Sequence, residues 1–176
     1  GEGMKLFLAD IDDAGLSETC SMIAAESMAY RLCDVSKAEE GEALAAAAYE
    51  RFGVVNLLFN NAGVAVTVPS WATSTQDWQW VLGVNLMGVV HGIQAFVPRM
   101  LKQQQPAHIV NTASLAGLSS VPGSSVYCVS KHGVVTLSEC LHRELSQEAA
   151  DIGVSVLCPA FVPTGIVDSE RHRPTQ

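Results

Sequence analysis

Along the chain, short apolar runs alternate with longer segments of helical spacing. "KLFLAD" (5–10) is an apolar run ending in an acid, which predicts a strand, and "AGLSETCSMIAAES" (14–27) predicts a helix after it. "MAYRLCDV" (28–35) predicts a second strand ending near Asp34. "SKAEEGEALAAAAYERFG" (36–53) then offers a serine cap, acids in its first turn, an alanine-rich body and a terminal glycine, the start and stop signals of a helix. "VVNLLFNN" (54–61) is, apart from Asn56, an apolar run until its end, the pattern of a parallel strand buried on both faces. A long helix is predicted over 75–104, with Asp77 near its start and Pro98 near its end. "HIVNTAS" (108–114), a helix over 125–148 and "GVSVLCPA" (153–160) complete the series. Strands and helices alternate without repeats or a linker, so the fold class is α/β with a parallel sheet in one domain.

Composition narrows the function classes. Of 176 residues, 48% are hydrophobic and 16% charged, which fits a globular domain with much buried surface. A net charge of −8 without a basic block argues against a nucleic-acid partner. Cys20, Cys33, Cys128, Cys140 and Cys158 are scattered and form no CxxC, the usage of reduced, mostly buried thiols in the cytoplasm. The histidines lack ligand spacing, so no metal site is expected. No uninterrupted apolar run reaches membrane-spanning length, and "GEGMKLFLADIDD" lacks the features of a signal peptide; no membrane association is expected.

In parallel α/β sheets ligands bind at the carboxyl ends of the strands, which singles out Asp10, Asp34, residues 60–63, residues 112–114 and the segment from Pro159 onward. Asp10 fits two readings, an acceptor for ribose hydroxyls or a cap for the next helix. "NNAG" (60–63) either ties strands together and brings backbone close to a ligand, or makes an ordinary turn. Asn85, in "GVNLMG", is a polar residue inside the long helix and needs a partner or a purpose. Ser114 precedes Tyr127 by thirteen residues, and Lys131 follows Tyr127 at i+4 in "SSVYCVSK". That pair is either incidental helix geometry or a phenol whose pKa a neighbouring ammonium lowers. Trp71, Trp78 and Trp80 are candidates for pocket walls or helix packing. Leu115, Ala116 and Leu118 follow Ser114 and are candidates for an apolar pocket wall.

Together, "DV" at 34–35, "NNAG" at 60–63, Asn85, Ser114, "YCVSK" at 127–131 and "CPAFVPTGI" at 158–166 resemble the short-chain dehydrogenase/reductase family, in its order and approximate spacing. The resemblance implies a Rossmann-like, doubly wound parallel sheet in three layers, and hydride transfer between NAD(H) and a small alcohol/ketone substrate. It implies Tyr127 as general acid/base, Lys131 as the residue that lowers its pKa and binds the nicotinamide ribose, Ser114 on the substrate oxygen, and Asn85 positioning a relay water. It implies Asp10 as the selector of NAD over NADP, Asp34 and Val35 near the adenine, and Asn61, Ala62 and Gly63 along the cofactor groove. Pro159, Val162 and Thr164 would fix the nicotinamide carboxamide. A homotetramer or homodimer through helices 75–104 and 125–148 is also implied.

Two departures qualify the resemblance. Ala160 stands where glycine commonly follows the proline, and would be strained there at positive φ. The glycine-rich phosphate turn is absent: in such folds it lies about 20 residues before the acid at Asp10. The expectation is therefore a sheet lacking its first, central strand and its last, with raw edges on either side of the gap, in a chain that is part of a longer one. A chain complete at 176 residues would instead be expected to lose NAD affinity and to act as a non-catalytic subunit through oligomer contacts.

Overall fold

The computed structural model describes residues 3–148 and 150–174. In chain order the elements are β1 (Leu6–Asp10), α1 (Asp13–Ser21), β2 (Met28–Leu32), α2 (Ala38–Phe52), β3 (Leu57–Asn60), α3 (Thr75–Leu82), α4 (Gly88–Gln103), β4 (Ala107–Thr112), α5 (Ser125–Gln147) and β5 (Ile152–Leu157). Single helical turns lie at Ala25–Ser27 and Leu115–Gly117, a longer 3-10 segment kinked at Asp168 runs over Gly165–His172, and a π-helical turn, Gly83–Met87, joins α3 to α4.

All strand pairs are parallel, and they form two separate blocks. β1 pairs with β2, from Leu6 opposite Met28 to Asp10 opposite Leu32. β4 lies between β3 and β5, with Leu58 and Val154 on either side of Ile109. β1 and β3 do not pair; a cleft separates them, with Leu8 and Ala9 on one wall and Leu58 and Phe59 on the other. This is the gap, with its raw edges, that the missing glycine-rich turn implies.

The core explains which faces are covered. α2, α4 and α5 pack together over one face of the strands, joining Ala45, Ala48, Phe96, Met100, Leu141 and Leu145 with Phe7, Leu58, Ile109 and Val154. The opposite face of β3 is open: Leu57 and Phe59 are 43% and 56% exposed. β3 was expected to be buried on both faces. Its apolar run provides for two neighbours, but among the described residues helices cover one.

Local chemistry sets the helix limits. α1 begins at Asp12, whose carboxylate accepts the Gly15 N–H at 3.1 Å, and it stops at Ser21, short of the expected Ser27. Ser36 does not cap α2; its hydroxyl donates to Asp34 at 2.6 Å, and the helix starts behind Lys37. Gly53, at φ 76°, ends α2 in the left-handed conformation its sequence predicts. α3 opens with a capping box in which Ser74 and Asp77 satisfy each other's backbone N–H groups. The stretch Thr75–Gln103 is long and apolar enough to cross a membrane, but it buries Val81, Asn85, Val89, Phe96 and Met100 inside the domain. The five cysteines are free; Cys33 and Cys128 are buried and Cys140 is exposed, fewer buried than the composition suggests.

Candidate active site

The carboxyl ends of the strands open onto a cleft of about 940 Å³. Asp10, Asp34, Val35, Asn61, Ala62, Gly63, Ser114, Tyr127, Lys131, Pro159, Val162 and Thr164 all line it, so the fold brings the predicted cofactor and catalytic residues together, apart from Asn85, which stands behind the wall.

At one end, Asp10 is exposed and accepts the Asp12 N–H at 3.0 Å. The helix cap falls to Asp12, so capping does not account for Asp10. Burial pushes the Asp34 carboxyl up, but the Ser36 hydroxyl and N–H and the Lys37 ammonium outweigh it and hold Asp34 below the ordinary carboxylate range. Val35 is anchored through its carbonyl, 2.9 Å from His91 Nδ1.

In the middle, the amides of "NNAG" tie strands together. Asn60 Nδ2 donates to Asn111 Oδ1 at 2.8 Å, and Asn61 Oδ1 accepts from the Thr112 hydroxyl at 3.0 Å. Asn111 donates onward to Ser138 on α5 at 2.9 Å. Gly92 is required beside this chain, since a Cβ there would lie 2.2 Å from Asn60 Oδ1.

At the other end, the expected single helix over 75–104 is broken at Asn85. Insertions of this π type widen a helix by one residue and recur at functional sites. Here Asn85 is fully buried, and its amide accepts from Val64 N at 2.8 Å and donates to Val64 O at 2.9 Å and to Ser130 Oγ at 3.0 Å. Both amide hydrogens are therefore committed to protein, so a relay water positioned by Asn85 would donate to it rather than accept from it.

Lys131 is 2% exposed, and its ammonium donates to the Thr112 carbonyl at 2.7 Å, 5.7 Å from the centre of the Tyr127 ring. Burial drives its pKa down to about 8. Burial also raises the Tyr127 phenol, against a downward pull from Ser114 and with a further push from Cys128. In this state burial therefore outweighs the pull of the Ser114 hydroxyl, and the phenol is raised rather than lowered. Ser114 itself accepts the Ala116 N–H at 3.1 Å. Ala160 is unstrained, because Gln104 is the only non-glycine residue with positive φ among the described residues.

Lys131 has a measurable cost. Between pH about 8 and 10.5 the unfolded chain holds a proton on this lysine that the folded one has released, so stability rises with pH through that window. Lys131→Met is expected to stabilise the fold at pH 7 by ~1–3 kcal/mol, with the gain shrinking towards pH 10, in urea unfolding at several pH values. A variant no more stable than the parent at pH 7 would contradict the burial cost.

Sequence reasoning missed the segment that closes the cleft's far side. Ser169 Oγ accepts the Ala65 N–H at 3.2 Å, and Arg173 pairs with Asp77 while its guanidinium lies 5.5 Å from the Trp80 ring centre. Pairings so distant in sequence leave no spacing signal. Ser130, inside "YCVSK", was also passed over, although a serine on the buried side of a helix is itself a signal. Trp71 is 90% exposed, and Leu115 and Leu118 are exposed, whereas Trp78 and Trp80 pack beside Val81 and Val126.

The short chain dehydrogenase family model matches residues 1–175, and the chain belongs to that family. It is 51% identical to a short-chain dehydrogenase/reductase from Burkholderia phymatum solved in complex with NAD, with a TM-score of 0.95 over 97% of this chain and 62% of that one. It is 37% identical to the CLA biosynthesis dehydrogenase/reductase of Lactiplantibacillus plantarum, over 99% of this chain and 62% of that protein. It is 32% identical to 1-deoxy-11-beta-hydroxypentalenate dehydrogenase of Streptomyces avermitilis, over 92% of this chain and 61% of that protein. The chain thus spans a little under two thirds of these relatives. Its α/β architecture of parallel strands and helices is the Rossmann-like fold of the family.

Proposed function

We propose that the protein is an NAD-dependent oxidoreductase acting on an alcohol/ketone pair, with Tyr127 as its general acid/base. The observation that carries the proposal is the convergence of Ser114, Tyr127 and Lys131 on one cleft whose other end carries Asp10. The chemistry at the strand ends suits a dinucleotide: Asp10 offers a carboxylate at the rim, and Gly63 leaves room for close backbone approach. Asp10, Asp34, Val35 and residues 61–63 would hold the adenosine half, and Lys131, Pro159, Val162 and Thr164 the nicotinamide half. The cofactor supplies or takes the hydride.

The chain's own residues handle the proton. Ser114 would hold the substrate oxygen, and Tyr127 would exchange a proton with it. With its pKa raised, the resting phenol is neutral and suited to donate a proton to a carbonyl. Lys131 is largely cationic below pH 8 and stands where it can stabilise the phenolate that remains. Asn85 would hold the loop at Val64 through its amide and position a relay water through an oxygen.

Exposed apolar residues on the two long helices, Met87, Leu101 and Val129, support a homo-oligomer, and the five free thiols support a cytoplasmic enzyme. A second reading is a non-catalytic subunit that acts through the exposed faces of those helices. Incubation with NAD and a panel of secondary alcohols separates the two: reduced nicotinamide forms with at least one alcohol if the protein is the enzyme, and with none if it is the subunit.

A further inference from the structure

Ser130 is fully buried on α5, between Tyr127 and Lys131 in register, and makes two bonds that leave the helix surface no freedom. Its hydroxyl donates to the Tyr127 carbonyl at 2.7 Å and accepts from Asn85 Nδ2 at 3.0 Å. Asn85 in turn grips Val64 by both its N–H and its C=O. A single hydroxyl thereby joins the turn of α5 that carries Tyr127 and Lys131 to the π-helical turn, and through it to the loop that lines the opposite side of the cleft.

Lys131 depends on that register. Its ammonium reaches the Thr112 carbonyl on β4, and a Cβ added to Gly63 would lie 3.5 Å from its nitrogen and 3.6 Å from Asn85 Oδ1. The groups around it are Tyr127 on its own helix, a carbonyl from β4, and uncharged residues from the π-helical turn and the loop after β3. Tyr127 is the titratable group among them.

We propose that Ser130 is a positioning residue for the proton transfer, locking the Tyr127–Lys131 turn against Asn85 so that both side chains meet the cleft in register. The inference rests on the reading of Tyr127 as acid/base. Without the hydroxyl, Asn85 loses an acceptor in a buried site, the turn loosens, and water gains access to Lys131.

Ser138 provides an internal control. Two turns further along α5 and also buried, it donates to the Val134 carbonyl at 2.7 Å and accepts from Asn111 Nδ2 at 2.9 Å, the same pair of bonds away from Tyr127 and Lys131. A general loss of helix packing affects both serines; a positioning role belongs to Ser130.

The test follows the Lys131 side-chain carbons by NMR against pH in protein labelled with carbon-13 lysine, with Lys131→Met assigning the signal. In the parent the midpoint is expected near 8, because burial lowers the Lys131 pKa. Ser130→Ala is expected to raise it by about one pH unit as burial is relieved, and Ser138→Ala to leave it in place. With NAD and an accepted alcohol, Ser130→Ala lowers kcat about tenfold, with KM for NAD changed less than about twofold. A Ser130→Ala midpoint equal to the parent's overturns the proposal, as does an equal shift in Ser138→Ala. If Ser130→Ala does not fold, Ser130→Cys, whose weaker S–H slackens both bonds, is expected to raise the midpoint by less and to lower kcat, and a variant with both parental midpoint and parental kcat overturns the proposal. The titration needs no turnover, so it fails separately from the assignment of Tyr127, which is judged by activity.

Discussion

Tyr127→Phe lowers kcat for the alcohol/ketone reaction by a factor of about 10²–10⁴, the range that a positioned acid/base contributes. The substitution removes one oxygen and leaves the ring 5.7 Å from the Lys131 nitrogen, so the cleft wall and the lysine's burial stay in place. KM for NAD is therefore expected to hold while kcat falls, which separates proton transfer from cofactor binding. In the parent, the raised phenol makes carbonyl reduction the reaction favoured at low pH, and alcohol oxidation climbs as pH rises, because oxidation needs the deprotonated oxygen. Tyr127→Phe flattens that climb. Steady-state rates in both directions from pH 6 to 10 check it, and a variant with parental kcat removes Tyr127 from the chemistry.

The second large effect lies in the fold beneath the site. Asn111→Ala is expected to cost ~2–4 kcal/mol, because it strands two groups at once. Asn111 is fully buried; it accepts from Asn60 on β3 and donates to Ser138 on α5, so one amide fastens a strand and a helix to β4. Asn60 has little room to turn elsewhere, since its oxygen lies against Gly92 on α4. With ordinary urea sensitivity the unfolding midpoint falls by roughly 1–2 M. An unchanged midpoint would mean that the Asn60–Asn111–Ser138 chain contributes nothing to holding the strands.

Legibility from the sequence differed by the range of the interaction. The order of strands and helices was readable because each carries its own periodicity, and Gly53 and the Ser74–Asp77 box mark helix limits by local hydrogen bonding. The break at Asn85 was legible only as an anomaly, a buried polar residue in a helix. Its form depends on Val64, 21 residues away, and on Ser130, 45 residues away. Ser36 shows the limit of a local rule, since Asp34 competes successfully for its hydroxyl. The raised phenol of Tyr127 was illegible for a similar reason: an i+4 lysine is visible in a sequence, but desolvation depends on everything packed around the ring.

The family resemblance located the cleft residues, and the structure redistributed their work. Asp12 rather than Asp10 caps α1, and the Asn85 amide ties the Val64 backbone to the Ser130 hydroxyl. The remote ties, Arg173 to Asp77 and Ser169 to Ala65, arise only when the end of the chain returns to the cleft.

The most direct test of the central claim is isotopic. An accepted secondary alcohol carrying deuterium at the carbinol carbon is incubated with the protein and NAD, and the nicotinamide product is examined by mass spectrometry. The account predicts one deuterium on the nicotinamide ring with the parent protein, and a rate of labelling lower by about 10²–10⁴ with Tyr127→Phe. Reduced nicotinamide without label, or labelling at the same rate in Tyr127→Phe, would contradict it.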